Sequence, residues 1–285
     1  MAETKDIIEQ ARIKYESEDL SEASKLYLSA LNQSESDIER AVIWAELSWT
    51  FYRMKSYDRA IEAGENVIAY DPEYQSREDI YRILGYSHNM LNHTRDAIKY
   101  LEKSLLIDRE SEKQRFAVYE LAKLYFTNQA YKEASALFDE VEAHFFADQK
   151  EYWLSTLFFQ GFILYYQNKP DESREIFEKL LTNAENDARK ASAMFGLAFI
   201  TFGRQDYLKT INLCEAIIEQ DNNFFDKETI GFLTAASFYH LGRRDVFEKY
   251  YEQLTLAYPS GRYQDELNAL KNSKDTGAEN TEHDF

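Results

Sequence analysis

Five histidines and one cysteine are the side chains of this 285-residue chain best suited to ligate a metal or attack a substrate. His88 and His93 stand five apart, which on one continuous helix turns them to different faces. His88 also falls on an apolar packing position, so a core or turn role is expected for the pair. Cys214 lies in "INLCEAII", where apolar residues recur at helical spacing, and a buried, inert thiol is expected there. The chain has no Gly-rich phosphate loop and no His-Glu-x-x-His. Its many Asp and Glu residues read as solvated outer faces of helices. The expectation is a protein with no catalytic residues, no metal and no cofactor, and therefore not an enzyme.

What remains with binding chemistry is rings: 21 Tyr, 19 Phe and 3 Trp. They sit in an acidic chain, with 33 basic against 51 acidic residues and a net charge of -18. Such a surface repels phosphate backbones and anionic headgroups, so neither nucleic acid nor membrane is the expected partner. One cysteine allows no internal disulfide, and "MAETKDIIEQARIKYESEDL" shows no secretory signal. A cytoplasmic location is expected. The uncharged run "YWLSTLFFQGFILYYQN", residues 152–168, is short of the roughly 20 apolar residues of a spanning helix and carries Ser155, Gln160, Gln167 and Asn168. It reads as a helix buried on both sides.

The elements that position these rings repeat. Ala23, Ala60, Ala97 and Ala134 recur at intervals of 37, and Ser173, Thr210 and Phe247 continue the series at 39, 37 and 37. A fixed period in this range marks a solenoid. Within each period, apolar residues at i, i+3, i+4 and i+7 describe two helices joined by short polar links such as "MKS" and "GRQD". A small residue early in the second helix lets the first approach, and bulky neighbours fill the space on either side. Asp71-Pro72 and Tyr258-Pro259 should each end a helix.

"WAELSWTF" (44–51), "YRILGYSH" (81–88) and "ASALF" (134–138) resemble the W-x2-L-G-x2-Y … A-x3-F … P pattern of the tetratricopeptide repeat. The resemblance spans residues 4–261, with copies five to seven degenerate at the small position. It implies an all-α, right-handed α-solenoid of seven helix-turn-helix repeats plus a C-terminal capping helix. The repeats would cover about 4–37, 41–74, 78–111, 115–148, 154–187, 191–224 and 228–261. A cap at 262–271, with Ser260 as its N-cap and Tyr263, Leu267 and Leu270 on one face, would close a domain of residues 1–271. Residues 272–285 read as an acidic, disordered tail ending in Phe285.

The resemblance further implies that the first helix of each pair lines a concave groove. The ring positions there are Trp49 and Tyr52 in copy two, Tyr86 in copy three, and Tyr119 and Phe126 in copy four. Copy five gives Phe158, Phe159, Phe162, Tyr165 and Tyr166; copy six gives Phe195, Phe199 and Phe202; copy seven gives Phe232 and Tyr239. Residues 152–168, 191–203 and 229–242 each lack a charge, so the groove side needs a cover. The cover could be a protein or peptide partner, with basic flanks to suit the acidic surface. It could also be the rings packed on one another, a second copy of the chain, or the acidic tail or a small apolar ligand. A non-enzymatic interaction scaffold is the expected function, with a self-assembling module that oligomerises through the groove or cap as the alternative. The carboxylate clamp of chaperone-binding relatives is not expected, because its positions hold Ile8, Arg12, Glu46, Asp79 and Ile83, of which only Arg12 is basic.

Overall fold

The computed structural model describes residues 2–273. Positions 274–285, with most of the expected acidic tail and Phe285, lie outside the described residues. Among the described residues the chain is all-α, with fifteen helices and no strand. They run α1 (Ala2–Glu16), α2 (Leu20–Gln33), α3 (Asp37–Arg53), α4 (Tyr57–Tyr70), α5 (Arg77–Met90), α6 (Thr94–Ile107), α7 (Gln114–Thr127) and α8 (Tyr131–Asp148). Then follow α9 (Lys150–Tyr166), α10 (Pro170–Asn183), α11 (Asp187–Gly203), α12 (Tyr207–Gln220), α13 (Lys227–His240), α14 (Arg244–Ala257) and α15 (Gln264–Asn272).

Local chemistry sets the boundaries. The side chains of Asp19, Ser36, Asn186, Asp206 and Asp226 cap α2, α3, α11, α12 and α13 by accepting from backbone N–H groups of the first turn. Pro170 opens α10, where its missing N–H costs nothing. α4 and α14 stop before Asp71-Pro72 and Tyr258-Pro259. Ser260 does not cap α15: that helix starts at Gln264 after Tyr263, with no side-chain cap.

Every turn from an odd-numbered to the next even-numbered helix has one design. Glu18, Lys55, Asn92, Gln129, Asn168, Gln205 and Gly242 all have φ between 59° and 74°, the left-handed region. In the α3–α4 turn the N–H of Ser56 donates to the Phe51 carbonyl, and that of Lys55 to Tyr52. The same two bonds recur around each of the other six residues, so all seven turns are Schellman motifs. Six of them use a residue other than glycine.

The chain divides into two compact units, residues 1–143 and 144–285, with the division inside α8. In the first unit α1 packs on α2, α3 on α4 and α5 on α6, while α2, α4 and α6 each also pack on the next first helix. In the second, α9 packs on α10, α11 on α12 and α13 on α14; α9, α11, α13 and α15 touch in succession. The periodic small residues are the seams of these pairs. Ala23, Ala60, Ala97, Ala134, Ser173 and Thr210 have no exposed surface. The Ser173 hydroxyl donates to the Gly161 carbonyl at 2.8 Å, so its burial leaves no donor unmet. Phe247, the large member of the series, is buried with its ring edge-on to Tyr239.

Phe177 of α10 shows how close the approach becomes. A Cβ added at Gly161 of α9 would fall 2.6 Å from its ring, and one at Gly196 of α11 would fall 2.3 Å away. Only glycine on both sides leaves room for the ring. At the end of the chain Leu267 is buried with Phe247 and Leu254, and Tyr263 stacks on Phe232 at 4.2 Å. α15 thus covers an apolar face of α13 and α14.

Candidate functional site

The second unit carries a continuous layer of rings. Phe158, Phe162 and Tyr166 follow one another up α9 at the four-residue spacing that aligns side chains on a helix. Phe162 meets Phe195 at 5.9 Å and Phe199 at 5.5 Å on α11, and Tyr165 meets Phe199 at 5.7 Å. Phe202 reaches Phe232 of α13 at 6.3 Å. Tilted and edge-on contacts of this kind add about 0.5–1.5 kcal/mol each beyond burial. The rings therefore cover one another in part.

Burial then sorts them. Phe162 and Phe195 are 4% exposed and sit beneath the face, where Phe162 lies 5.0 Å from Phe177. Tyr119 in the first unit, at 5%, lies edge-on to Phe138 in the same way. These three belong to the core and are corrected from groove to packing residues. Phe158, Phe159, Tyr165, Phe199, Phe202, Phe232 and Tyr239 are half-buried. Tyr166 is 49% exposed.

One residue of this face was not expected. The link between α12 and α13 carries Phe224, which is buried, and Phe225, which is 69% exposed. The Phe225 ring stands 6.4 Å from Phe158 and 5.7 Å from Phe195. The only signal in the sequence was an apolar pair inside the polar stretch "DNNFFD".

The first unit brings together a smaller set. Trp49 and Tyr52 of α3 meet at 6.4 Å, and Tyr52 meets Tyr86 of α5 at 6.2 Å. Burial holds the Tyr52 hydroxyl above the usual phenol range. Phe126 is half-buried against Tyr131. Next to Tyr86 a cavity of about 450 Å³ opens, lined by Arg82, Tyr86, Glu112, Lys113 and Phe116. Arg82 is 6% exposed; its Nη2 donates to Asp79 at 2.6 Å. At the clamp positions, Arg12 donates to Glu46 through Nε and Nη2 at 3.0 and 2.7 Å.

The histidines differ from expectation. α5 ends at Met90, and left-handed Asn92 swings His93 back, so the two imidazoles do meet, with Nδ1 atoms 3.5 Å apart. His88 is also stacked on Tyr100 at 5.3 Å. The Cys214 thiol is buried, which pushes its pKa up to about 11. Among the described residues no group of three or more His, Cys, Asp or Glu is arranged to hold a metal ion. Among them, too, no helix is long and apolar enough to cross a membrane.

No family model matches this sequence, and no curated protein matches it. Solved structures do. The apo form of the quorum sensor NprR from B. thuringiensis is similar at a TM-score of 0.69 and 11% identity, over 95% of this chain and 80% of that one. The apo form of RapI gives 0.65 at 11% identity, over 94% and 80%. PilF of Pseudomonas aeruginosa gives 0.59 at 17% identity, over 82% and 98%. The chain has the tetratricopeptide-like helical-repeat fold.

Proposed function

We propose that this chain is a non-enzymatic interaction scaffold that holds a segment of another protein against the ring face of α9, α11 and α13. The observation that carries the reading is the exposure of Tyr166 and Phe225 above a packed, uncharged aromatic layer. Large rings that are anchored at their base and open at their edge are the usual hot spots of protein interfaces. The half-buried Phe158, Phe159, Tyr165 and Phe199 supply the apolar floor. With a net charge of -18, the chain favours a partner whose flanks are basic. One structure of like fold is a quorum sensor in its apo form, a precedent for a ligand on this architecture. The single buried cysteine suits a reducing compartment, and we take the cytoplasm as the site of action. The repeat boundaries given from the sequence, with residues 1–271 as one domain, belong to the same reading.

The test compares wild type with a Phe159→Ala, Tyr166→Ala, Phe225→Ala variant. All three positions are half-buried or exposed, so the helical circular dichroism should be unchanged. Capture of a partner from native cytosol by wild type and its loss in the variant is the expected result. Equal capture by both proteins would overturn the reading. A wild-type dimer in light scattering that becomes monomeric in the variant would transfer the face to self-assembly.

A further inference from the structure

The cavity beside Tyr86 in the first unit goes beyond that reading, because it lies on other helices and asks for other chemistry. Its floor holds a cation that the fold leaves incompletely satisfied. Arg82 is 6% exposed, and its Nη1 is buried with no hydrogen-bond partner among the described residues. Nη2 is taken by Asp79 at 2.6 Å, and the Trp49 ring lies 5.6 Å from the guanidinium carbon. Asp79 also serves a second cation, Lys113, at 3.9 Å. Two cations therefore share one carboxylate. Asp108 is engaged by the Ser111 side chain and by the backbone N–H groups of Ser111 and Glu110, which hold its carboxylate below the usual range, with Arg82 adding least. Glu112 stands exposed at the cavity rim.

A buried guanidinium with an unmet donor is costly, and it calls for a water, an ion or a ligand to complete it. The guanidinium is planar and rigid, so Nη1 reaches the cavity only as Nη2 leaves Asp79, which keeps Lys113: a ligand carboxylate would take the place of Asp79 on Arg82. Tyr86 and Phe116 supply ring walls beside it. We infer that this cavity binds a carboxylate of a partner peptide, carried next to an aromatic side chain: Arg82 and Lys113 take the carboxylate, and Tyr86 and Phe116 take the ring. None of the five clamp positions considered from the sequence is Arg82, and Arg12, the basic one among them, is already committed to Glu46.

N-acetyl-phenylalanine is the probe, and its primary amide, with the same ring and no charge, is the control. The readout is the indole N–H resonance of Trp49, assigned with Trp49→Phe. The acid should shift it with a dissociation constant of about a millimolar, as expected for a ligand of this size. The amide should bind about ten-fold more weakly, the loss of one charge-assisted hydrogen bond. Arg82→Met should abolish the shift. Lys113→Ala, at a position whose side chain is 71% exposed, keeps the fold in any case and should weaken binding several-fold. The Phe159→Ala, Tyr166→Ala, Phe225→Ala variant should bind the probe like wild type, so failure here and failure of the ring face are read separately. Equal binding of acid and amide, no shift with either, or undiminished binding in Lys113→Ala and Arg82→Met would each overturn the inference.

Discussion

His88 is buried, and His93 reaches back to it across the Asn92 turn, with the Nδ1 atoms 3.5 Å apart. Burial holds His88 below the usual histidine range; nearby His93 and Lys99 lower it further, while Asp96 and Glu65 act against them. His240 is lowered too, by burial and by Arg244. The unfolded chain, with ordinary histidines near pH 6.5, then binds more protons than the native one. Stability is fully present above about pH 6.5 and is lost as pH falls below it toward the folded values. Thermal melts at pH 7.5 and 5.5 should show a lower Tm at the acid end, in a window still above carboxylate titration. His88→Gln should flatten that dependence in part, leaving the His240 contribution; an unchanged slope would contradict this account. At this scale the sequence was legible as ring positions but not as ring depth. Phe162 and Phe199 read alike in one dimension, yet Phe162 points at Phe177 and Phe199 does not. The unmet donor of Arg82 is a property of three-dimensional neighbours, which no spacing along the chain displays. The meeting of His88 and His93 depended on a turn that the spacing of five concealed.

The seven left-handed turns invite a test at the level of the element. A non-glycine residue held in that region costs about 1–2 kcal/mol, whereas glycine gives back roughly 0.5–1 kcal/mol through the freedom of the unfolded chain. The first effect is the larger. Gln205→Gly, at an exposed position, should therefore raise unfolding free energy by about 0.5–1 kcal/mol in urea titrations. Asn168→Gly should gain less, because asparagine tolerates this conformation, and Gly242→Ala should lose stability. A loss in Gln205→Gly would mean that its side chain makes a contact worth more than the strain. These turns also explain which part of the fold was readable. The period of 37 and the buried Ala23, Ala60, Ala97 and Ala134 carried the helical-repeat fold, because packing demands small residues at fixed places. The turns themselves carried little signal: Glu18, Lys55 and Gln205 are not residues by which a left-handed turn announces itself. Phe225 was missed for a related reason, since a link between helices has no period to read.

At the scale of the whole molecule two electrostatic effects oppose each other. Ion pairs join residues one repeat apart, including Arg12–Glu46 at 2.7 Å, Arg53–Glu18 at 3.1 Å, Arg189–Glu151 at 2.9 Å and Arg204–Asp171 at 2.5 Å. They are largely solvent-exposed, and such pairs contribute about 0.2–1 kcal/mol each. Against them stands the self-repulsion of a net charge of -18. Salt screens charges beyond about 10 Å far more than it weakens touching pairs. Calorimetry should therefore show Tm rising by about 2 °C or more between low-salt buffer and 0.2 M KCl. A fall would give the ion pairs the upper hand. The wedge of Phe177 between Gly161 and Gly196 has a different reach. The residues that stand where Gly196 does in the other copies are Glu9, Glu46, Ile83, Glu120, Phe159 and Leu233. None of them would admit the Phe177 ring. A cassette cut between α10 and α11 and spliced beside another copy would leave its ring facing a side chain. The smallest portable module here is three helices, α9 to α11, so duplication or exchange in steps of one repeat is blocked at this joint, and lineages that reshuffle the array would have to carry both glycines along.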